Sequence, residues 1–454
     1  MSTLSYMQRM RYVGNGEYCN ENSFADEVTL NYKDMNLLRL IPRTNKMVSE
    51  RRTYEEFHDD ICKTIDVLIR VENSTVFSTA ADEDFMIVLI AGILIGKTVL
   101  TNPKQVTSET LIINNIKSFL EKNNTVLENA YHTMDCIDDR IAVKETGYVM
   151  FDTSGSTGTP KSIRLSLGNI AASLKGFYED RINEKHKELV SFLCCLPRAH
   201  VYEVMMELLC IRDGLQLLYT TPTALYVKYI QCAPSVIILV PQILNKLYEK
   251  LLPLSAYMIV SAGAPLRKEV HEFYMKNCAL FVNGYGQTET AASIALSTEA
   301  DDGYYLTDSV IIKVNPDKEL LVRGPVVSEE LISSDGWFHT NDMVEVKDGK
   351  LYIIGRKNNI IKLQQGEYVN LDRLTDIYSK YFTVVVCGDS LSRYPSAVAY
   401  TDKDEAEVWE TLNKLHKENV LKGYERIDRI IIKKDGVPLT DTMKVDYVRI
   451  RKEF

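Results

Sequence analysis

No apolar run in this chain reaches the length that a bilayer requires. The longest, Met86–Ile95, is followed closely by Lys97 and reads as a buried helix, so no integral membrane segment is expected. Met1–Arg11 has no apolar core, and no secretory or mitochondrial leader is predicted from it. The nine cysteines are scattered, with Cys194–Cys195 as the one close pair. Zinc-type CxxC or Cys/His spacing is missing, and the odd count points to reduced thiols in a cytoplasmic protein, each serving as small core packing. Internal repeats and low-complexity tracts are also lacking. There is no excess of positive charge: the formal net charge is −9, which argues against nucleic acid as a partner because phosphate neutralisation needs a clustered basic face. From Lys357 to the end, 17 Lys+Arg stand against 16 Asp+Glu, so that stretch is +1 and the remainder −10.

What is present is an ordinary globular composition, 45% hydrophobic and 25% charged, over 454 residues. That length exceeds one core and implies two or more domains. Short β-branched runs read as buried strands at Val76–Ser78, Thr98–Leu100, Tyr148–Asp152, Val236–Val240, Met258–Val260, Leu280–Val282 and Val384–Cys387. Helical patterns separate them at Tyr54–Ile69, Leu167–Tyr178, Ile243–Leu252 and Arg267–Asn277. Strands alternating with helices predict α/β layers with largely parallel sheets. After about Asp301 short strands linked by turns, such as Val310–Val314, Leu320–Arg323, Val344–Val346 and Leu351–Ile354, predict an antiparallel appendage, a small barrel.

The most informative segment is Tyr148–Arg164, YVMFDTSGSTGTPKSIR. A β-type run feeds Thr153, Ser154, Gly155, Ser156, Thr157 and Gly158, and then Lys161. Gly155 and Gly158 permit close backbone approach, the neighbours offer N–H groups and hydroxyls to phosphate oxygens, and Lys161 adds a mobile positive charge. It is not a Walker loop, which would need GxxxxGK[ST]. SGSTG alone would equally suit a flexible surface turn.

The full TSGSTGTPK after a strand resembles the phosphate-loop signature of the adenylate-forming superfamily: acyl-CoA synthetases, peptide-synthetase adenylation domains and luciferases. The resemblance implies further motifs in a fixed order, and they are present. Asn283–Thr290, NGYGQTET, resembles the second nucleotide motif. There Tyr285 offers a face for adenine, Gly284 and Gly286 let the backbone come close, Thr288 can reach a phosphate, and Glu289 is a hard oxygen ligand suited to Mg²⁺. Ser261–Leu266, SAGAPL, is similar to the segment whose backbone lines adenine, implicating Gly263, Ala264 and Pro265; read alone it is a strand-to-helix turn. Trp337–Asp342, WFHTND, resembles WFHTGD, which implies that Asp342 accepts hydrogen bonds from the ribose hydroxyls. Asn341 stands where glycine is usual, and Asn tolerates a left-handed backbone better than most residues.

Gly355–Val369, GRKNNIIKLQQGEYV, resembles the interdomain hinge motif. It implies Arg356 near ribose and phosphate, Asn358 at the pivot in place of the usual Asp or Lys, and Gly366 beside the path of a thiol. Pro438–Val445, PLTDTMKV, matches the segment holding the essential lysine, here Lys444. An ammonium reaching between carboxylate and α-phosphate would stabilise the charge that develops in adenylation.

The resemblance runs from Thr53–Phe57 (TYEEF) to the C-terminal segment, and several stretches look specifically like long-chain fatty acyl-CoA synthetases. These include LPRAHVYE at Leu196–Glu203, VPQILNKLYEKL at Val240–Leu251 and KGYERI at Lys422–Ile427. An amino-acid-activating domain would carry an Asp to pair an α-amino group, and His200 with its neighbours supplies none. His200 either positions the substrate carboxylate, lines the acyl pocket, or is a structural histidine. The chain is shorter than typical long-chain synthetases, mainly before the phosphate loop.

The resemblance therefore implies a large N-terminal domain, 1–354, of layered α/β subdomains with a small β-barrel, and a small mobile α+β C-terminal domain, 355–454. The implied reaction uses ATP and Mg²⁺ to activate a carboxylic acid, here a fatty acid, and passes the acyl group to the phosphopantetheine thiol of CoA or an acyl carrier protein. An aryl- or amino-acid ligase and a degenerate nucleotide-binding protein are the alternatives.

Overall fold

The structure is a computed structural model, and it describes residues 10–14, 16–20, 41, 44, 46–80, 82–123, 147–153, 161–176, 189–299, 303–388, 393–417, 421–438 and 449–450. The chain divides into two compact units. The first comprises Met1–Lys313, Leu321–His339 and Val346–Tyr352; the second comprises Val314–Leu320, Thr340–Glu345 and Ile353–Phe454.

The first unit opens with a hairpin of β1 (Met10–Gly14) and β2 (Glu17–Asn20). Helix α1 (Tyr54–Leu68) then begins at Thr53, whose side chain accepts from the Glu56 N–H while Glu56 reaches back to the Thr53 N–H. Two orphan donors of the first turn are satisfied this way. Next come β3 (Thr75–Ser78), α2 (Glu83–Leu94), β4 (Thr98–Leu100), β5 (Leu111–Ile113) and α3 (Ile116–Lys122). With β6 (Tyr148–Thr153) and β7 (Lys161–Ser166) they build a five-stranded sheet of order β5-β3-β4-β6-β7. Its pairs are parallel except β6–β7, an antiparallel hairpin.

Helix α4 (Leu167–Gly176) leads onward to β8 (Ser191–Cys194), α5 (Val201–Arg212), β9 (Gln216–Tyr219), α6 (Leu225–Cys232) and β10 (Val236–Leu239). They are followed by α7 (Pro241–Glu249), β11 (Met258–Ala262), α8 (Lys268–Met275) and β12 (Leu280–Tyr285). Strands β9, β8, β10, β11 and β12 pair side by side and all parallel. Every residue of β8, β10 and β11 is buried, as expected of parallel strands covered on both faces. Antiparallel pairing then takes over through β13 (Ala295–Ser297) and β14 (Gly303–Leu306). After β15 (Ile311–Val314), β16 (Glu319–Arg323) and β17 (Phe338–Lys347) comes β18 (Lys350–Arg356), whose Leu351 and Tyr352 pair with β14.

The second unit has its own core. A two-stranded ribbon of β19 (Ile360–Lys362) and β20 (Tyr368–Asn370) precedes α9 (Leu371–Tyr378). A three-stranded sheet of β21 (Thr383–Cys387), β22 (Ser396–Tyr400) and β23 (Arg429–Lys433) packs with α10 (Glu405–Lys417) around Leu374, Val384, Val386, Ala397 and Val408. This is the mixed α/β architecture with a large and a small part that the sequence predicted. The cysteines among the described residues are all free thiols. Among the described residues no helix is long and apolar enough to cross a membrane.

The start of α2 carries buried acid. Glu83 and Asp84 are 1% and 2% exposed, and Arg52 spans both, at 2.9 Å and 2.6 Å, while also meeting Asp60 at 2.9 Å. The second Asp84 oxygen accepts from the Ile116 N–H at 3.0 Å, so this knot ties α1, α2 and α3 together. Removing one partner of such a buried group leaves charge without compensation. Arg52→Met is therefore expected to destabilise the protein by about 3–5 kcal/mol, read as a lowered denaturant midpoint. A midpoint equal to that of the parent chain would refute this account of the knot.

Candidate active site

The ends of two neighbouring parallel strands bring two of the sequence motifs together. Ser261 of β11 is the register partner of Asn283 of β12, and Ala262 that of Gly284. Gly263, Ala264 and Pro265 leave the C-terminal end of β11 exposed, beside the half-buried Tyr285 at the end of β12. Gly263 turns with φ +88°. The crevice outside the carboxyl ends of strands is where open α/β sheets bind ligands. Two polar atoms at this edge have no hydrogen-bond partner among the described residues: Ser261 Oγ, fully buried, and Asn283 Oδ1. Asn283 Nδ2 donates to Tyr304 Oη at 2.8 Å, which orients the amide and fixes its oxygen as the unpaired atom.

Beyond β12 the chain makes a tight turn. A Cβ on Gly286 would lie 2.4 Å from both the Ala292 carbonyl carbon and oxygen, so no other residue fits without backbone movement. Ala291 and Ala292 take left-handed conformations, φ +47° and +61°, and Ser173 Oγ of α4 donates to Ala291 O at 2.8 Å. Thr288 and Glu289 lie half-buried in the 3₁₀ turn Thr288–Thr290. The Glu289 carboxylate has no partner among the described residues.

Thr153 and Lys161 are register partners at the open end of the β6–β7 hairpin, so they bracket residues 154–160. Thr153 Oγ1 donates to Lys161 O at 3.3 Å, and the Lys161 side chain is exposed. Ser154, Gly155, Ser156, Thr157, Gly158 and Lys444 lie outside the described residues. The hairpin is joined to the Glu289 turn by Ser328, whose N–H donates to Glu289 O and whose Oγ donates to Arg164 O, both at 2.9 Å. Thus the strand that follows residues 154–160 and the turn that carries Glu289 share one bridging residue.

In the second unit Asp342 is buried and Arg356 half-exposed, with Arg356 Nε 3.0 Å from Asp342 Oδ1. Arg356 also donates to Thr340 O at 3.1 Å. Asn341 adopts φ +58°, so the residue standing in for glycine does take the left-handed backbone. Its N–H donates at 3.3 Å to Glu319 Oε1, and Lys357 Nζ donates at 2.8 Å to Glu319 Oε2. The Glu319 hydrogen bond raises the Lys357 ammonium above its ordinary value. Sequence reading missed Glu319, which no motif marked.

His200 sits at the exposed start of α5 and makes no side-chain cap. Tyr202, Met205, Met206 and Leu209, at helical spacing on α5, line a small cavity with Ser173 and Ala292. It offers about 10 Å³, room for one water, and no carboxylate faces it. Glu203 and Glu207 point elsewhere from the same helix, each 1% exposed. Glu207 is gripped by Arg198 through two bonds of 2.7 and 2.8 Å, while Glu203 accepts from the Leu196 N–H at 3.3 Å.

A chain with these elements, a Thr/Ser/Gly loop after β6 and paired strand-end motifs at β11 and β12, has the architecture of an adenylate-forming enzyme. The chain matches the AMP-binding enzyme family over residues 79–329, more than half its length, and belongs to that family. Among sequence relatives, the peroxisomal long chain acyl-CoA synthetase 6 of Arabidopsis thaliana is 26% identical over 340 residues, covering 57% of this chain and 48% of that protein. Long-chain-fatty-acid–CoA ligase 6 of Homo sapiens is 26% identical over 422 residues, covering 66% and 59%. The matches therefore span about half to three-fifths of those relatives' length. Among solved structures, o-succinylbenzoate CoA synthetase (MenE) of Bacillus subtilis in complex with the acyl-adenylate OSB-AMP superposes with a TM-score of 0.68. It is 17% identical, and the match covers 92% of this chain and 98% of that one. Apo MatB of Rhodopseudomonas palustris gives 0.60 at 16% identity, over 92% and 98%. At such identities the likeness establishes the fold.

Glu203 gives a test of the buried cluster. Burial, and then the charge of Glu207, push its carboxyl well above the ordinary value of 4.5. Unfolded, Glu203 loses its proton near pH 4.5; folded, it keeps it. Folding then takes up a proton, and stability falls as pH rises above that value, by up to about 1.4 kcal/mol per pH unit for this group. Glu203→Gln is expected to melt close to the parent chain at pH 5 and above it at pH 8. Parallel melting curves across that range would contradict a protonated Glu203.

Proposed function

We propose that this protein is an AMP-forming acid–thiol ligase that activates a fatty acid and delivers it to the phosphopantetheine thiol of CoA or an acyl carrier protein. The observation that carries the proposal is the strand-end pair, where Ser261 Oγ and Asn283 Oδ1 are buried with no partner among the described residues, beside a flat tyrosine. Buried polar atoms without partners are costly, and an adenine amino group presented at this edge would satisfy an acceptor there. The chain's relatives support the acid: their names are those of long-chain fatty acid ligases, and the α5 side chains Tyr202, Met205, Met206 and Leu209 form an apolar wall with no carboxylate among them to pair an amino group.

The ligand set fits ATP with a divalent cation. MenE has been solved with ATP and a magnesium ion, and here Glu289 holds a carboxylate with no partner among the described residues. Mg²⁺ bound there would offset phosphate charge. Thr153, the hydroxyl-rich segment Ser154–Gly158, Lys161 and Thr288 would cradle the phosphates. Asp342, held by Arg356, would accept from the ribose. In the first step the carboxylate attacks the α-phosphorus, Lys444 balances the growing charge, and pyrophosphate leaves. In the second, the thiol sulfur attacks the acyl carbon and AMP leaves. Residues 355–454 would rotate about Asn358 between the steps, withdrawing Lys444 and opening the thiol path near Gly366, so that one site serves two transition states.

Carboxylate-dependent ATP–pyrophosphate exchange across fatty, aryl and amino acids tests the reading. Exchange is expected with a fatty acid. Lys444→Ala should lose it by about 10²-fold or more while still thiolating a supplied acyl adenylate. Loss of both half-reactions alike would sink the division of labour, and exchange only with an aryl or amino acid would replace the substrate assignment. No exchange with any acid, despite ATP binding, would favour a degenerate nucleotide-binding protein.

A further inference from the structure

Helix α5 has two working faces. Tyr202, Met205, Met206 and Leu209 line the cavity, while Glu203 and Glu207, one turn apart, face the β8 end of the sheet. Cys194 Sγ and the two carboxylates lie within 4.8 Å of one another, a spacing that a metal ion could use. The cluster already has its cation. Arg198 forks onto both Glu207 oxygens, and Tyr219 Oη adds a third bond to Oε2 at 3.1 Å. The guanidinium balances the Glu207 carboxylate, and a divalent ion would meet a fixed positive charge.

Arg198 also reaches away from α5. Its guanidinium lies 4.8 Å from the ring of Phe85 on α2 and 5.0 Å from that of Tyr219 on β9, and Nη1 donates to Ala80 O at 3.3 Å. Ala80 follows β3, and Phe85 belongs to the helix that covers the sheet carrying the phosphate hairpin. Arg198 is thus fixed at once to both sheets of the first unit. It sits in the turn Leu196–His200, whose other end is held by Glu203 through the Leu196 N–H. Two carboxylates of α5 therefore grip the turn that starts α5. The same grip bears on the rotation of the helix about its axis, and so on Tyr202 and Met206 in the cavity wall.

We propose that Arg198 is a positioning residue for the acyl end of the substrate, acting through Glu207 to fix the rotation of α5 and the Leu196–His200 turn against the sheet that carries the phosphate loop. It touches no reacting atom. The inference rests on the acid-activation reading, and it goes further by naming what holds the acid wall in register with the nucleotide wall. Small misplacements of a binding wall are felt steeply in rate and affinity.

The test uses the full chain and three variants: Arg198→Lys, Arg198→Met, and Arg198→Met with Glu207→Leu. Arg198→Met strands the Glu207 charge and is expected to melt lower; the double variant replaces the pair by apolar groups and is expected to recover most of that loss. In the exchange assay the double variant should show KM for the fatty acid raised roughly tenfold or more, a blurred chain-length preference, and KM for ATP essentially unchanged. Arg198→Lys, which keeps the charge and loses the fork, should show the same split more weakly. Recovery of the acid KM in the double variant, along with its melting temperature, would overturn the proposal, since Arg198 would then only neutralise Glu207. If the double variant does not fold, unaltered acid and ATP KM values in Arg198→Lys would overturn it equally. A parent chain with no exchange for any acid would defeat the acid-activation reading instead. Amide hydrogen exchange over residues 196–203 in Arg198→Lys then decides, faster exchange confined to that segment supporting the grip and unchanged exchange refuting it.

Discussion

Parallel strands all leave a sheet in the same direction, so the pairing of β11 with β12 delivers Ala262 and Gly284 to one edge in a single register step. Around that edge the other parts fall into place. The turn after β12 closes on Ala292 because Gly286 lacks a side chain, Ser173 of α4 holds Ala291, and Ser328 ties the Glu289 turn to β7. A slip of one residue between β11 and β12 would separate Ser261 from Asn283 and swap the packed neighbours of every side chain on the strand. The close packing on both faces of β11 is what forbids such a slip.

Charge inside the first unit is handled by arginine twice. Arg52 joins the acids at the start of α2, and Arg198 those of α5; both present a planar fork to carboxylates in places where water is scarce. Lysine would suit neither site as well, since a point charge cannot take two oxygens in one plane. The two knots adjoin, for Phe85, which follows Asp84 on α2, lies against the Arg198 guanidinium. Buried ion pairs of this kind contribute little net stability, and what they fix is geometry.

The sequence made several strand-end turns plain because their chemistry is local. NGYGQTET and WFHTND each compress a turn and polar groups into a few residues, and Thr98–Leu100 was bounded as a strand to the residue. Helix α5 was read only as part of a resemblance, LPRAHVYE. It is buried on every side from Val201 to Ile211, so no polar stripe marks its period. Strands β8 and β9 were missed because neither carries a β-branched residue, and β7 because the Ser/Thr/Gly-rich segment before it hid its alternation. One signal for Arg198 was available: two glutamates four apart in an otherwise apolar run demand a buried partner, and the nearest preceding cation is Arg198. Glu319 left no such trace, since its partners Asn341 and Lys357 are distant in the chain.

Glu319 is a junction as well as a pair partner. One of its oxygens holds the backbone of the left-handed turn at Asn341, next to Asp342, and the other holds Lys357, next to Asn358. The segment expected to pivot and the turn expected to grip a sugar are thereby fastened to the same carboxylate. Loss of the carboxylate at position 319 would consequently loosen both segments in one step.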